Sequence, residues 1–342
     1  MELKEFRFCV FPPFTAKKAL PLPLIMEKKT ELQLLRPRSL ASVITDGYRL
    51  YMGTFRTLFR SSWPVALVYA LAFALFMGNL VNNFIPLQVT LLSTGTQIPP
   101  SAVASYFATM LFYLVGAALL SAHAVNLFRE HSRTGEVSRP KHWWGRLCLN
   151  PFLRLLVVGV WMMLVGVVID VVFAAAIFGI LSLGVVGSIG KSIVSIVFLS
   201  ILALIILALC IPLYYTVMRT LVADEKIQFT PPFRGYALGL RHWGLLFATF
   251  IVVLLFTSLL SLVCELPAVI MIMANILAYV GLAQGDPLGM PENMVPLTYA
   301  VFFVAGFIQA YVHLSALFPF YYAYGSIEEM RNMRDHDGMM PE

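Results

Sequence analysis

Residues 243–264 read WGLLFATFIVVLLFTSLLSLVC, a run of 22 residues without a charged side chain. A helix of that length extends about 33 Å, which is enough to cross a hydrocarbon core of roughly 30 Å. A basic and aromatic lead-in precedes the run and contains Phe233, Arg234, Tyr236, Leu240, Arg241 and His242. The stretch therefore predicts a transmembrane helix that starts from a basic segment at the membrane boundary.

The composition indicates that lipid, rather than water, surrounds most of the chain. Of the 342 residues, 59% are hydrophobic and 12% are charged, whereas an ordinary soluble domain has about 25% charged residues. So few charges cannot cover a soluble protein of this size. The four cysteines are far apart, so they form neither a disulfide framework nor a zinc motif, and we expect no cofactor.

Five more apolar segments are long enough to span a bilayer, and only helices satisfy their own backbone at such lengths in lipid. The sequence predicts an all-α polytopic membrane protein with six transmembrane helices. We predict cytoplasmic tails at 1–40 and 331–342, and residues 1–25 precede a second possible start at Met26. Three repeats lie between the tails, at 41–135, 136–225 and 226–330. Their predicted spans are 63–85 and 101–128, then 155–180 and 192–218, then 243–267 and 295–324.

The spans recur as three tandem copies of two helices. Trp63 and Trp243 are 180 residues apart, and Pro86 and Pro267 are 181 residues apart. A middle copy should then begin near residue 152, where Arg146 and Arg154 flank the start of the third span. The exits of spans 4 and 6 also match, as IPLYYTVMR (211–219) and FPFYYAYGS (318–326). We interpret the tyrosines in these exits as an aromatic belt at the membrane boundary.

The distribution of basic residues predicts the orientation, because lysine and arginine accumulate on the cytoplasmic side of membrane proteins. With six spans, 23 of the 24 lysines and arginines fall on one side, and Lys191 alone falls on the other. Both chain ends are therefore expected in the cytoplasm of a bacterial cell, with the spans in its inner membrane.

The first lead-in has an apolar stripe from Ile44 to Phe59, with arginines along one flank. Such a helix is suited to lie in the headgroup plane, although docking against another part of the protein fits the same pattern. We predict that lead-in residues of all three copies contact lipid headgroups. These are Arg49, Arg56, Arg60, Trp63, Arg146, Arg154, Arg234, Arg241 and Trp243.

Six spans, basic and aromatic lead-ins and tyrosine-rich exits resemble the membrane domain of glycerophosphodiester phosphodiesterases and related stand-alone six-span bacterial proteins. The resemblance covers about residues 44–330. It implies a membrane domain of this kind without the hydrolase, because the sequence has no counterpart of the soluble catalytic barrel.

Asp170 is the most unusual polar residue, because it lies about 22 Å into the third span. A carboxylate at that depth costs at least about 2.5 kcal/mol, so we expect it to face the bundle interior, to take a partner or to stay protonated. We predict an intramembrane polar cluster, either a binding site or a set of interhelical hydrogen bonds. Its members are Asp170, Glu265, Asn79, Asn82 and Asn83.

His123 and His313 are predicted in the inner halves of spans 2 and 6, where a histidine either serves a proton path or bonds a carbonyl.

We expect a non-enzymatic protein that binds or moves a lipid or small amphiphile, or serves as the membrane subunit of a complex. The alternatives are an intramembrane lipid-modifying enzyme and a proton- or cation-coupled transporter. Expected partners are membrane lipids, another protein or a second copy of the chain. Nucleic acid is not expected, because the arginines are interleaved with aromatic residues at bilayer boundaries.

Overall fold

A computed structural model describes residues 34–87, 99–135, 146–182, 189–222, 233, 235–285, 291 and 293–337. These residues are helical or lie in short connections, and no strand occurs among them. The helices are α1 (Leu40–Asn79), α2 (Pro100–Thr134), α3 (Arg146–Ser182), α4 (Ile189–Val222), α5 (Tyr236–Arg241), α6 (Trp243–Ala283) and α7 (Met294–Asp337). A π-helical turn, Leu80–Phe84, continues α1. Residues 1–33 of the predicted tail 1–40 lie outside the described residues.

Six of these helices are long and apolar enough to cross a membrane: all except α5. The prediction of an all-α polytopic membrane protein is confirmed. The three tandem repeats and the bacterial inner membrane stay predictions. We call the end of the bundle where α1 begins and α7 ends the terminal end.

The tightest packing joins α1 to α7 along most of their length. A Cβ atom added to Gly47 would lie 2.8 Å from the backbone of Pro319, and one added to Gly78 would overlap the ring of Tyr299. Small residues of this kind let membrane helices approach closely, because lipid provides no hydrophobic drive for association. Helices α2 and α6 pack against this pair and complete a core of four helices.

The α3–α4 hairpin is much less enclosed than the α1–α7 pair. In their most apolar windows, 6% of α3 and 11% of α4 is buried, against 50% for both α1 and α7, with α2 at 11% and α6 at 17%. The hairpin meets α2 near the terminal end, where Val125, Val158 and Leu221 form a small apolar cluster. Residues farther along both helices, including Val167, Val171, Phe178, Ile196 and Leu204, are exposed.

The first lead-in differs from the predicted helix in the headgroup plane. Residues 44–60 form one continuous helix with the first span, and their apolar stripe packs on α7. Tyr51 donates a hydrogen bond to the Tyr311 carbonyl at 3.1 Å and contacts the ring of Phe318. The stripe therefore serves helix packing rather than burial among lipid headgroups.

The third copy also differs from the expected boundaries. Its lead-in includes a separate short helix, α5, which ends before His242 and packs on α4 through the Tyr236 hydroxyl and the Leu209 carbonyl, 2.7 Å apart. Helix α6 continues past Pro267, where the fifth span was predicted to end, and reaches Ala283. Proline is tolerated inside a membrane helix, because neighbouring groups satisfy the freed carbonyl.

Candidate functional site: a cavity between the core and the hairpin

A cavity of about 400 Å³ lies between α2, α3, α4, α6 and α7, and we call it the five-helix cavity. Most of its wall is apolar, with Val158 from α3, Val217 from α4, Phe250 from α6 and Leu317 from α7. The cavity lies where the hairpin meets the core, because its wall includes Val125, Val158 and Leu221, the apolar cluster that joins the hairpin to α2.

His313 supplies the most strongly polar group in the wall of this cavity. Protein surrounds the His313 side chain, but the side chain is exposed because its accessible surface faces the cavity. Among the described residues, none forms a hydrogen bond with its ring. A neutral imidazole can donate one hydrogen bond and accept another, so His313 offers the cavity an unused polar contact. The hydroxyl-bearing Ser121 and Thr257 also line the wall.

His123, the other predicted histidine, lies at a different place. It is buried, and its Nε2 atom is 3.1 Å from the Ser61 hydroxyl, which joins α2 to α1. The contact is a hydrogen bond between helices, and its partner is a hydroxyl group and not the carbonyl expected from the sequence. The structure thus gives His123 a packing contact and leaves His313 facing a cavity.

The predicted asparagines form hydrogen bonds between helices at the end of α1. Asn79 donates to the hydroxyls of Ser105 and Thr109 at 3.4 and 3.2 Å and accepts from Asn83 at 2.8 Å. The Asn82 side-chain amide donates to the Gly78 carbonyl, and the Asn82 backbone carbonyl accepts from the Tyr279 hydroxyl. These contacts tie α1 to α2 and α6, as expected for polar residues that hold membrane helices together.

The two acidic members of the predicted cluster do not join the asparagines. Glu265 on α6 lies close enough to the Tyr69 phenol on α1 to interact with it electrostatically. Asp170 is exposed on α3, and none of the described residues bonds to its carboxylate. The structure therefore corrects the expectation that Asp170 faces the bundle interior. The reason is that α3 packs on its neighbours near the terminal end, and Asp170 lies beyond that contact.

A network of buried polar and aromatic side chains occupies the terminal end, and the sequence did not predict it. The Tyr321 hydroxyl lies 2.9 Å from Nδ1 of His131 and donates to the Phe128 carbonyl at 3.1 Å. Arg38 lies 4.6 Å from the ring centroid of Tyr322 and forms an ion pair with Asp46 at 2.9 Å. This network joins the start of α1 to α2 and α7.

The tyrosine-rich exits were interpreted as a boundary belt, and the structure corrects this as well. Tyr215, Tyr321, Tyr322 and Tyr324 are buried, and Tyr214 alone among the five is exposed, at 39%. Three of the buried phenols are oriented by described contacts: Tyr215 by Glu328, Tyr321 by His131 and Tyr322 by Arg38. A tyrosine pair spaced for a membrane boundary is equally suited to a buried polar core, so the sequence alone did not separate the two.

The predicted headgroup residues have mixed environments. Arg49, Arg56, Arg60, Trp63 and Arg241 are exposed. Arg154 donates to the Thr220 carbonyl, and Trp243 donates to the Ala208 carbonyl, so both take part in helix packing. The side chain of Arg146 and all of Arg234 lie outside the described residues. Headgroup contact stays a prediction for the exposed set.

Comparison of the chain with protein-family models, with characterised proteins and with solved structures finds no match. The case for a function therefore depends on the geometry of the chain itself. No group of three or more histidine, cysteine or acidic side chains suited to a metal ion occurs within the described ranges.

Proposed function

We propose that this chain is a multi-pass protein of a bacterial inner membrane that binds a membrane lipid or another small amphiphile in the five-helix cavity. The observation that carries the proposal is the cavity itself, about 400 Å³ in volume, with apolar walls and the His313 imidazole facing it. The volume is in the usual range for small-molecule sites, which are mostly apolar with a few convergent polar groups.

The chemistry of the wall favours an amphiphile over a polar solute. A strongly polar solute would lose its bonds to water and find few partners, at a cost of roughly 1–3 kcal/mol for each unpaired group. An acyl chain satisfies the apolar walls, and an ester or hydroxyl group satisfies His313.

The alternatives have less support. An intramembrane enzyme or a coupled transporter based on Asp170 requires the carboxylate to meet other polar groups. Asp170 instead lies on an exposed face of α3, while His313 faces the cavity and Glu265 neighbours Tyr69. We also propose that the terminal end faces the cytoplasm, since the exposed arginines of α1 lie there and basic residues accumulate on that side.

Native mass spectrometry of the protein extracted with its own lipids tests the proposal. Gly159 lines the cavity, and the space around its Cβ position is open, so Gly159→Leu fills part of the cavity without a clash. Gly166 lies on the same helix with equally open space and lines no described cavity, so Gly166→Leu is the matched control. We expect Gly159→Leu to lose most of the retained lipid and Gly166→Leu to keep it.

A second variant, His313→Leu, removes the polar contact and leaves most of the cavity volume, so it distinguishes the effect of the hydrogen bond from the effect of filling the cavity. It should change which lipid is retained more than how much, because the walls remain and the hydrogen bond is lost. Equal lipid retention by the wild type and both cavity variants would overturn the proposal.

A further inference from the structure

A second, separate recess lies on the hairpin. It is a groove of about 580 Å³ between α3 and α4, and it shares no lining residue with the five-helix cavity. On α3 it extends from Trp161 to Val172, about 16 Å along the helix axis. Its wall is almost wholly apolar, and Tyr236 of α5 closes it on the side of the terminal end.

Basic side chains lie next to the end of the groove that Tyr236 closes. Gly235 precedes Tyr236, and a guanidinium nitrogen of Arg219 lies 2.7 Å from the position of a Gly235 Cβ atom. Arg219 also follows Leu213, a groove residue, by about 9 Å along α4. The groove therefore has an apolar body and a cationic neighbour at one end.

Glu328 gathers arginines from two helices at this point. Its carboxylate is 3.6 Å from Arg219 and 3.1 Å from Arg331, and it accepts a hydrogen bond from the Tyr215 hydroxyl at 2.7 Å. One buried carboxylate thus holds two guanidinium groups together. Asp335, the other acidic group in contact, is exposed and lies 3.8 Å from Arg331.

Two more arginines extend the patch around His242. Arg241 is the neighbour of His242 in the sequence, and Arg334 lies one turn beyond Arg331 on α7. Burial lowers the pKa of His242, and the positive charges of Arg334 and Arg241 lower it further. Both arginines are exposed, and neither has an ion-pair partner among the described residues. Nε2 of His242 is buried, and none of the described residues forms a hydrogen bond with it. We call Arg219, Arg241, Arg331 and Arg334 the arginine patch.

We propose that the arginine patch and the α3–α4 groove together form a site for one anionic phospholipid, with its phosphate on the arginines and an acyl chain along the groove. Arg241 directly precedes the uncharged run of α6, which is the depth expected for a headgroup. Arginine suits a phosphate because its planar group donates two parallel hydrogen bonds. The apolar groove and the cationic patch match the two parts of this lipid.

Lipid competition with the full chain tests the proposal. The purified protein is mixed with phosphatidylglycerol and phosphatidylcholine of the same chain length, and the bound ratio is measured by native mass spectrometry. We expect the wild type to prefer phosphatidylglycerol. Arg241→Gln and Arg334→Gln should each lower that preference about five-fold, the effect of one basic residue near an anionic surface. Both arginines are exposed and unpaired among the described residues, so folding is not at risk.

Two further variants complete the design. Arg133→Gln removes an exposed arginine of α2 at the same end of the bundle and should leave the preference unchanged. Val168→Trp fills the groove from an exposed position and should weaken both lipids equally. Gly159→Leu, in the five-helix cavity, should not alter the preference, so the two sites can fail independently.

Three outcomes would overturn the inference. One is equal binding of the two lipids by the wild type. Another is a loss of preference in Arg133→Gln as large as in Arg241→Gln, which would indicate general surface charge. The third is loss of preference in excess inorganic phosphate together with no effect of Val168→Trp, which would indicate a soluble anion instead of a lipid.

Discussion

The α1–α7 pair and the α3–α4 hairpin both consist of helices long enough to cross a membrane, and they pack in opposite ways. Along α1, Gly47 and Gly78 allow the backbone or a ring of α7 to fill the space that a side chain would need. Along α3, a Cβ atom added to Gly159 or Gly166 would have no other residue within 4 Å. Glycine thus allows close helix contact between α1 and α7, whereas those two glycines of α3 have no described helix against them.

This difference shows what apolar composition alone does not decide. Apart from Asp170, the exposed surfaces of helices α3 and α4 are largely apolar, and lipid is as favourable a neighbour for such a surface as another helix. Interdigitating small residues and buried polar contacts hold α1 to α7. Among the described residues, the hairpin meets the core near the terminal end, and at that junction a space, the five-helix cavity, remains between hairpin and core. In our account, that space is the binding site.

The largest loss of stability is expected when the close contact between α1 and α7 is disrupted. Gly47→Val places its added carbons against the Pro319 backbone and should destabilise the protein by about 2–3 kcal/mol. Gly53→Val, on an exposed part of the same helix with no neighbour within 4 Å, is the control. Thermal unfolding in detergent, followed by tryptophan fluorescence, measures both. Similar melting temperatures for the two variants would contradict the close approach of α1 and α7.

The next effect concerns the terminal polar network. Tyr321→Phe removes the hydroxyl that lies next to His131 and donates to the Phe128 carbonyl, and should cost about 1–2 kcal/mol. The Tyr48 hydroxyl is buried, and no described residue forms a hydrogen bond with it. Tyr48→Phe should therefore be neutral or stabilising in the same unfolding assay. A loss in the Tyr48 variant as large as in the Tyr321 variant would count against the network.

A smaller effect is expected for a single bond between helices. Asn275 of α6 donates to the Thr298 hydroxyl of α7 at 3.1 Å, and both residues are buried. A double-mutant cycle with Asn275→Ala and Thr298→Val should give a coupling energy of about 0.6 kcal/mol, the usual value for such bonds in membranes. Zero coupling would mean that the two residues contribute independently.

The smallest effect is expected on the hairpin. Asp170→Leu should cause no loss of unfolding temperature, because no described residue bonds to the carboxylate and leucine suits an exposed membrane face. Gly166→Leu should be equally silent. A clear loss of stability in the Asp170 variant would show that a partner outside this chain holds the carboxylate, and assay of the oligomeric state would follow.

Composition and run length predicted the fold class, because a helix that crosses lipid needs only sufficient uncharged length. The same information did not predict which helices pack. The apolar stripe of residues 44–60 fits a membrane surface and the face of α7 equally well, and contact with Pro319 and Tyr311 decided between them. His313 was selected from the sequence as a polar residue in a span, and the structure places it on a cavity.

The rest of the candidate site could not be predicted, for a related reason. Asp170 was expected inside the bundle, because burial with a partner offsets the cost of a carboxylate in lipid. That argument assumes an α3 enclosed on most sides, whereas the hairpin is exposed. The arginine patch depends on Glu328, which joins Arg219 and Arg331. These two arginines lie more than 100 residues apart in the sequence, so no local sequence pattern could predict that they meet.

Photo-crosslinking with a lipid that carries a diazirine on its acyl chain tests the central claim most directly, because it reports where the lipid lies. The account predicts that crosslinks concentrate on residues that face the five-helix cavity, such as Val158 and Val217, and that Gly159→Leu removes them. Crosslinks spread evenly over the exposed faces of all six long helices, and unchanged in Gly159→Leu, would contradict it.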